Sequence, residues 1–210
     1  MSNGSSKHRA MLLLGPTGSG KTPLGNLIQE RGLWDLTWVH FDFGAQLRKI
    51  ISGDSSEVPL DGKEVELIGK LLRTGALLEP DQFWLAERIL RWFLAERVPD
   101  HNTCVVLNGL PRHVEQATQI KAIVDVLTVV SLRCTRDTVL QRVRGNTGGD
   151  RGERTDDDDE LILAKLESFN QRTLPLVDYY YTVDVPVRRI VVTVAMTPDE
   201  IWQILQRRGC

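Results

Sequence analysis

A glycine-rich turn follows directly on a run of apolar residues near the start of the chain, in the stretch LLLGPTGSGKTPLG at residues 12–25. The leucines show no polar alternation, which is typical of a strand buried on both faces of a parallel sheet. Gly15 ends the run and opens the spacing G-x-x-x-x-G-K-T, which closes at Thr22. The stretch constrains the fold strongly, because it requires a buried strand, a tight turn and a helix in direct succession.

The turn predicts a binding site for the phosphate groups of a nucleotide. Its glycines allow successive backbone N–H groups to converge on anionic oxygens. Lys21 adds a positive charge, and the Thr22 hydroxyl is suited to Mg²⁺. An ordinary turn is the alternative, but the strand before the glycines and the amphipathic segment after them favour phosphate binding. We predict that the nucleotide contacts eight consecutive residues, namely Gly15, Pro16, Thr17, Gly18, Ser19, Gly20, Lys21 and Thr22.

The overall composition argues against several other classes of protein. The 210 residues are 41% hydrophobic and 26% charged, which is enough apolar material for one full core. A net charge of -2 argues against general binding to nucleic acid or membrane surfaces. The polar N-terminal residues do not resemble a signal peptide, and no later run reaches membrane-spanning length. We therefore expect a cytoplasmic enzyme that acts as a monomer, without nucleic-acid or membrane partners.

Short apolar runs alternate with helical periods along the chain, a pattern typical of a parallel sheet with helices on both faces. The runs predict five strands, at residues 11–14, 38–43, 103–108, 126–132 and 189–194. We find no internal repeat and no low-complexity linker. The pattern therefore predicts an α/β fold, with a five-stranded parallel sheet in a single domain over residues 1–210. Two inserts interrupt the alternation, a helical segment at 44–78 and a polar, glycine-containing segment at 146–159.

The third predicted strand ends in VVLNGLPRHVEQA at residues 105–117, which resembles the D-G-F-P-R-x-x-x-Q-A signature of adenylate kinases and related nucleoside monophosphate kinases. Four further segments resemble motifs of the same family in the same order: FGAQLRK at 43–49, TGALLEPDQF at 74–83, GERTDDDDELILAKLESF at 152–169 and TLPLVDYY at 173–180. The resemblance implies a P-loop kinase fold. It also implies that 44–78 is the monophosphate-binding insert and that 146–159 is a lid of the short type.

The resemblance implies direct transfer of the γ-phosphoryl group of ATP, as its Mg²⁺ complex, to a nucleoside monophosphate, with AMP as first choice. The residues it implies for catalysis are Lys21, Arg112, Arg142, Arg154 and Lys165, with Arg144 and Arg151 as looser matches. Those implied for substrate binding are Phe43, Gly44, Arg48, Leu78, Gly109, Arg112 and Gln116. Thr22 and Asn108 are implied for the metal. Several arginines suit this reaction. A planar guanidinium can donate two parallel hydrogen bonds to a phosphate, and its positive charge offsets the negative charge that accumulates between two phosphates.

The sequence departs from the family pattern at positions that keep alternatives open. Asn108 stands where the family has an acidic residue, Lys165 where it usually has an arginine, and Phe43 where it has a small hydroxyl residue. Asp42, directly before Phe43, is either a substrate contact or a local cap, and we favour the cap. A kinase for another nucleotide or a small metabolite therefore remains an alternative. A nucleotide-binding sensor with low turnover is another.

Overall fold

The computed structural model describes residues 7–53, 59–100, 102–149 and 159–207. Its centre is a parallel sheet of five strands, in the order β2-β3-β1-β4-β5. The strands are β1 (His8–Leu14), β2 (Trp38–Asp42), β3 (Cys104–Asn108), β4 (Val124–Arg133) and β5 (Val187–Val191). The predicted five-stranded parallel sheet is confirmed. Every predicted strand overlaps an observed one.

β1 begins three residues before the predicted residue 11, and both ends of β5 lie before the predicted 189–194. Strand β5 lies at an edge of the sheet and pairs only with β4. Its apolar side chains are not all buried, since Val191 is 73% exposed. The apolar run at 189–194 therefore did not predict the ends of β5 correctly, because an edge strand lacks the second neighbouring strand that buries a central one.

The helices connect successive strands and follow the predicted alternation. In chain order they are α1 (Lys21–Arg31), α2 (Phe43–Ser52), α3 (Gly62–Thr74), α4 (Phe83–Arg97), α5 (Val114–Ile120), α6 (Arg136–Arg144), α7 (Asp159–Ser168), α8 (Leu176–Thr182) and α9 (Pro198–Gln206). A short 3₁₀ turn (Pro80–Gln82) precedes α4, and a π-helical turn (Phe169–Thr173) follows α7. No helix in the described ranges is long and apolar enough to cross a lipid bilayer.

Both faces of the sheet are buried, as the unbroken apolar runs predicted. In β1, Ala10, Leu12 and Leu14 pack on one face with side chains of α4, α5 and α8. Met11 and Leu13 pack on the opposite face with α1 and α9. A fully buried leucine stabilises a fold by roughly 1.5–3 kcal/mol. Because its side chains alternate between the two faces, β1 contributes to both layers of the core. The C-terminal ends of β1, β2 and β3 meet at one edge of the sheet, where α1 and α2 begin.

Helices α2 and α3 fill most of the segment 44–78 that was predicted as an insert. Asp42 caps α2, because its Oδ1 accepts a hydrogen bond from the Ala45 amide at 2.9 Å. Asp61 caps α3 and forms a reciprocal capping box with Glu64. The predicted lid at 146–159 lies mostly outside the described residues, so its extent stays a prediction.

Candidate active site

The turn between β1 and α1 adopts a conformation that curls the backbone around a small space. Gly18 and Gly20 have φ angles of +72° and +93°, in the left-handed region that favours glycine. A Cβ atom on Gly18 would lie 2.7 Å from Cγ2 of Val143, so a side chain there would force Val143 to move. Helix α1 begins at Lys21, and its N-terminal amides therefore face the turn. Such a helix start attracts anions.

Lys21 lies across the turn. Its Nζ atom donates hydrogen bonds to the carbonyls of Gly15 at 2.7 Å and Pro16 at 2.8 Å. The Ser19 amide donates to the Pro16 carbonyl at 3.3 Å, while the Ser19 side chain is fully buried. Hydrogen bonds to the carbonyls of Gly15 and Pro16 therefore close the turn. The ammonium group of Lys21 places a positive charge beside these carbonyls.

A cavity of about 200 Å³ opens in front of this turn. Its lining contains most of the predicted site residues, namely Gly15, Pro16, Thr17, Gly18, Gly20, Lys21, Thr22, Phe43, Gly44, Arg48, Leu78, Asn108, Gly109, Arg112, Gln116 and Lys165. Ser19 and Arg142 are absent from the lining, and Arg154 lies outside the described residues. One cavity thus joins the glycine-rich turn to residues of α2, α5, α7 and the end of β3.

Two arginines line this cavity together with the turn. Arg48 extends from α2 alongside Gly44, and a Cβ on Gly44 would lie 3.4 Å from its Nη1. Arg112 follows β3, and its Nε is buried without a hydrogen-bond partner among the described residues. Burial lowers the pKa of the Arg112 guanidinium, and the charge of Asp42 opposes that shift. A buried donor on a cation is costly, so Arg112 is suited to an anionic ligand.

Asp42 connects the two residues predicted to hold the metal. The Thr22 hydroxyl donates to Asp42 Oδ2 at 2.6 Å, and Asn108 Nδ2 donates to the same oxygen at 2.7 Å. Burial raises the pKa of the Asp42 carboxyl, but the hydrogen bonds from Thr22 and Ala45, with nearby positive charge, hold it below its usual range. Asp42 is therefore the predicted cap of α2 and also a charged member of the site. The residue pattern predicts the cap or a direct substrate contact, but not the hydrogen bonds to Thr22 and Asn108.

His40 lies next to Asn108 and does not line the cavity. The Nδ1 atom of His40 lies 2.8 Å from Asn26 Oδ1, and its Nε2 lies 3.5 Å from Asn108 Nδ2. Burial lowers the pKa of His40, although the charge of Asp42 opposes the shift. The neutral ring lies directly against α1, where a Cβ on Gly25 would be only 2.3 Å from Nε2. Gly25 is therefore required for this close approach.

Gln116 lines the cavity, and part of its carboxamide is hydrogen-bonded to backbone groups of the protein. Its Oε1 accepts a hydrogen bond from the Arg112 amide at 2.8 Å, and its Nε2 donates to the Leu78 carbonyl at 3.0 Å. The same carbonyl lies 3.0 Å from His113 Nε2. One N–H and one lone pair of Gln116 remain for a ligand. This arrangement fixes the end of the insert segment against α5.

Arg142 connects the glycine-rich turn to the segment that follows β5. Its side chain is only 1% exposed, and Nε donates to the Gly18 carbonyl at 2.9 Å. Nη1 donates to the carbonyls of Thr193 at 2.8 Å, Val194 at 3.0 Å and Met196 at 2.8 Å. The guanidinium thus joins the glycine-rich turn to the segment after β5. Arg142 is therefore a brace of the turn, and its role in catalysis stays a prediction.

Several apolar lining residues were not singled out from the sequence, namely Leu47, Leu71, Leu72, Ala76, Leu77 and Phe169. The helical spacing of the leucines could have indicated a buried face, but not which ligand that face meets. Lys165 reaches the cavity from α7 and passes over Gly75, where a Cβ would lie 2.9 Å from its Cε. The insert and the helix after the predicted lid therefore approach each other closely at this point.

The parallel sheet and the glycine-rich turn, whose lysine and hydroxyl share one cavity with two arginines, define a phosphotransferase of the P-loop class. The chain is similar to the adenylate kinase of Mycobacterium marinum, with 30% identity over 178 residues that cover 82% of this chain and 86% of that protein. The chain therefore belongs to the adenylate kinase and nucleoside monophosphate kinase family.

Other relatives agree with this family. The adenylate kinase of Haloarcula marismortui is 25% identical over 222 residues, covering 93% of this chain and 94% of that protein. The uridylate kinase of Saccharomyces cerevisiae is 28% identical over 182 residues, covering 85% of this chain and 80% of that protein. A scan of models of protein families finds no match. The relatives carry two different substrate names, so family membership leaves the acceptor open.

Proposed function

We propose that the protein transfers the γ-phosphoryl group of ATP, bound with Mg²⁺, to a nucleoside monophosphate, with AMP as the preferred acceptor. One observation carries the proposal: a single cavity is lined both by the glycine-rich turn and by Arg48 and Arg112. A module that only bound ATP would not need two further cations facing its phosphate site. The buried Nε of Arg112, with no partner in the described part of the chain, is suited to the phosphate of the acceptor.

The chain's own groups would act mainly by binding and charge compensation. The amides of the turn and Lys21 would hold the β- and γ-phosphates of the donor, while Arg48 and Arg112 would hold the acceptor phosphate. Mg²⁺, held near Thr22 and Asn108, would supply positive charge to the phosphate oxygens. The oxygen donors at this position fit a hard cation that prefers oxygen ligands.

In the proposed transfer, an oxygen of the acceptor phosphate forms a bond to the γ-phosphorus. The bond from the γ-phosphorus to the bridging oxygen breaks, and ADP leaves with that electron pair. Lys165 and Arg154 would approach the transferring group from the side of α7 and the predicted lid. No covalent intermediate with the protein is needed, because positioning and charge supply the catalysis.

AMP is the first acceptor because of Gln116. Its carboxamide keeps one N–H and one lone pair, which match the N1 acceptor and the 6-amino donor of adenine. The relatives named adenylate kinase support this choice, and the yeast relative named uridylate kinase makes UMP the second acceptor to test. The Phe43 ring also lines the cavity and would limit the size of the base. The cytoplasmic location and the monomeric state stay predictions from the sequence.

The test is to incubate the purified protein with ATP and Mg²⁺ plus each of AMP, GMP, CMP, UMP and dTMP, and to separate the products. We expect ADP formation with AMP at the highest kcat/KM. Omission of the acceptor is the control for hydrolysis of ATP. Tight ATP binding without any diphosphate product would reject the kinase in favour of a nucleotide sensor. A faster reaction with UMP would reject AMP and keep the enzyme class.

A further inference from the structure

We propose that Asp42 is the positioning residue that supplies the negative charge of the Mg²⁺ site, in place of an acid at the end of β3. The inference rests on the proposed function, since it concerns the metal of the same site. Asp42 ends β2 and Asn108 ends β3, and the two are register partners in the sheet. The family resemblance leads one to expect an acid at position 108. In this chain Asn108 supplies the amide of the pair, and Asp42 supplies the carboxylate.

The hydrogen bonds around Thr22 have a defined direction. Its hydroxyl proton goes to Asp42 Oδ2 at 2.6 Å, since a carboxylate can only accept. Asn108 Nδ2 donates both to that Oδ2 at 2.7 Å and to Thr22 Oγ1 at 3.1 Å. A hydroxyl oxygen has two lone pairs, so one lone pair of Thr22 remains for a cation. Asp42 and Asn108 together therefore fix the rotation of the Thr22 hydroxyl.

The charge at this position comes from Asp42. Among the described residues that line the cavity, it is the one with a carboxylate. Within the described ranges, no three His, Cys, Asp or Glu side chains form a cluster able to hold a metal. Mg²⁺ needs no such cluster, because it binds through one or two carboxylates, retained waters and substrate phosphates. Asn108 accepts and donates hydrogen bonds but carries no charge.

Asp42 acts through Thr22 and water rather than as a direct ligand. Its Oδ2 already accepts two hydrogen bonds, and its Oδ1 accepts the one from the Ala45 amide. Direct coordination would require some of these bonds to break. Partners that orient metal ligands typically change metal affinity by roughly 10- to 100-fold when they are mutated.

A purely structural role for Asp42 predicts a different outcome from a charge role. Asparagine caps helices about as well as aspartate and still accepts hydrogen bonds. Asp42→Asn therefore keeps the cap of α2 but removes the charge and one acceptor oxygen, because its Nδ2 donates where Oδ2 accepted from Thr22 and Asn108. Asp61→Asn is the matched control, because Asp61 caps α3 and does not line the cavity. If Asp42→Asn does not fold, Asp42→Ser takes its place, since serine is also a good cap.

The experiment measures Mn²⁺, an EPR-visible substitute for Mg²⁺, binding to the protein–ATP complex without any acceptor. We expect Asp42→Asn to weaken Mn²⁺ binding by about tenfold or more, while Asp61→Asn changes it little. The double variant Asp42→Asn/Asn108→Asp, which exchanges amide and carboxylate, should recover most of the affinity. ATP binding without metal should stay close to wild type.

Unchanged Mn²⁺ affinity in Asp42→Asn would overturn the inference, as would a double variant no better than the single one. Because no acceptor is present, these outcomes are separate from those that test the proposed kinase. If no monophosphate is phosphorylated but the exchange restores Mn²⁺ binding, the inference stands and the proposed function fails.

Discussion

Gln116 donates a hydrogen bond from Nε2 to the carbonyl oxygen of Leu78, across 3.0 Å. This contact connects α5, which begins two residues after Arg112, to the end of the segment predicted to bind the monophosphate. The other end of the same carboxamide accepts from the Arg112 amide. Gln116 therefore fixes the backbone at Arg112, which is proposed to hold the acceptor phosphate. The remaining N–H and lone pair of its carboxamide are available to the acceptor base.

For this reason, Gln116→Ala should reduce both acceptor discrimination and acceptor binding. We expect AMP to lose its lead over other monophosphates by a factor equivalent to roughly 1–3 kcal/mol, because a polar edge of the base is left without a partner. The measurement is kcat/KM for AMP, GMP, CMP, UMP and dTMP. Gln119→Ala is the control, since Gln119 is an exposed residue of the same helix that donates to the Pro80 carbonyl. Wild-type discrimination in Gln116→Ala would mean that this residue does not read the base.

Lys21→Ala should lower the rate of transfer by orders of magnitude, because the charge facing the donor phosphates is lost. The fold should melt within a few degrees of wild type, since the bonds from Lys21 to the carbonyls of Gly15 and Pro16 lie within one turn. Steady-state kinetics and thermal unfolding measure the two effects. Lys70→Ala, at an exposed position of α3, should leave both unchanged. Near-normal activity in Lys21→Ala would contradict the phosphate assignment.

Arg112→Lys should raise the KM for the acceptor and lower kcat, while ATP affinity changes little. Lysine keeps the charge but cannot present two parallel N–H groups to a phosphate. Kinetics with varied acceptor and equilibrium binding of ATP give the two numbers. Arg136→Lys, on the exposed surface of α6, is the matched control. A fall in ATP affinity would show that Arg112 contacts the donor instead.

Arg142→Met should destabilise the fold by about 3 kcal/mol or more, because four backbone carbonyls lose a charged donor and the buried site loses its side-chain hydrogen bonds. Urea denaturation measures this change in the free energy of unfolding. Arg144→Met is the control: its ion pair with Asp159 is exposed, and such pairs contribute about 0–1 kcal/mol. If Arg142→Met keeps full stability and loses only kcat, the brace is wrong and a direct phosphate contact is right.

Gly25→Ala should destabilise the protein by about 1–3 kcal/mol, although alanine is the better helix former by about 1 kcal/mol. The added methyl group would overlap the buried His40 ring, which cannot retreat because α1 and β2 pack against each other. Gly62→Ala provides the comparison, since nothing lies within 4 Å of a Cβ at that position. Adding His40→Ala to Gly25→Ala should relieve most of the loss. Stability equal to wild type in the single variant would contradict the close packing.

The sequence by itself determined the features that depend on neighbours in the chain. The strand, the glycine-rich turn and the helix beginning at Lys21 follow one another directly, so their residue types suffice to predict them. The apolar runs predicted the sheet, because strands buried on both faces need no polar alternation. The same pattern did not predict the ends of the edge strand β5, since the exposure of its residues depends on which strands lie beside it.

Only the tertiary structure decided which distant polar groups meet. Asp42 could be predicted as a cap from its position before α2, but its contacts with Thr22 and Asn108 depend on the order of β2 and β3 in the sheet. Arg142 matched a family position, yet the carbonyls it contacts come from Gly18 and from the segment after β5. Hydrogen bonds between residues far apart in the chain depend on strand order and packing, which no local pattern of residues records.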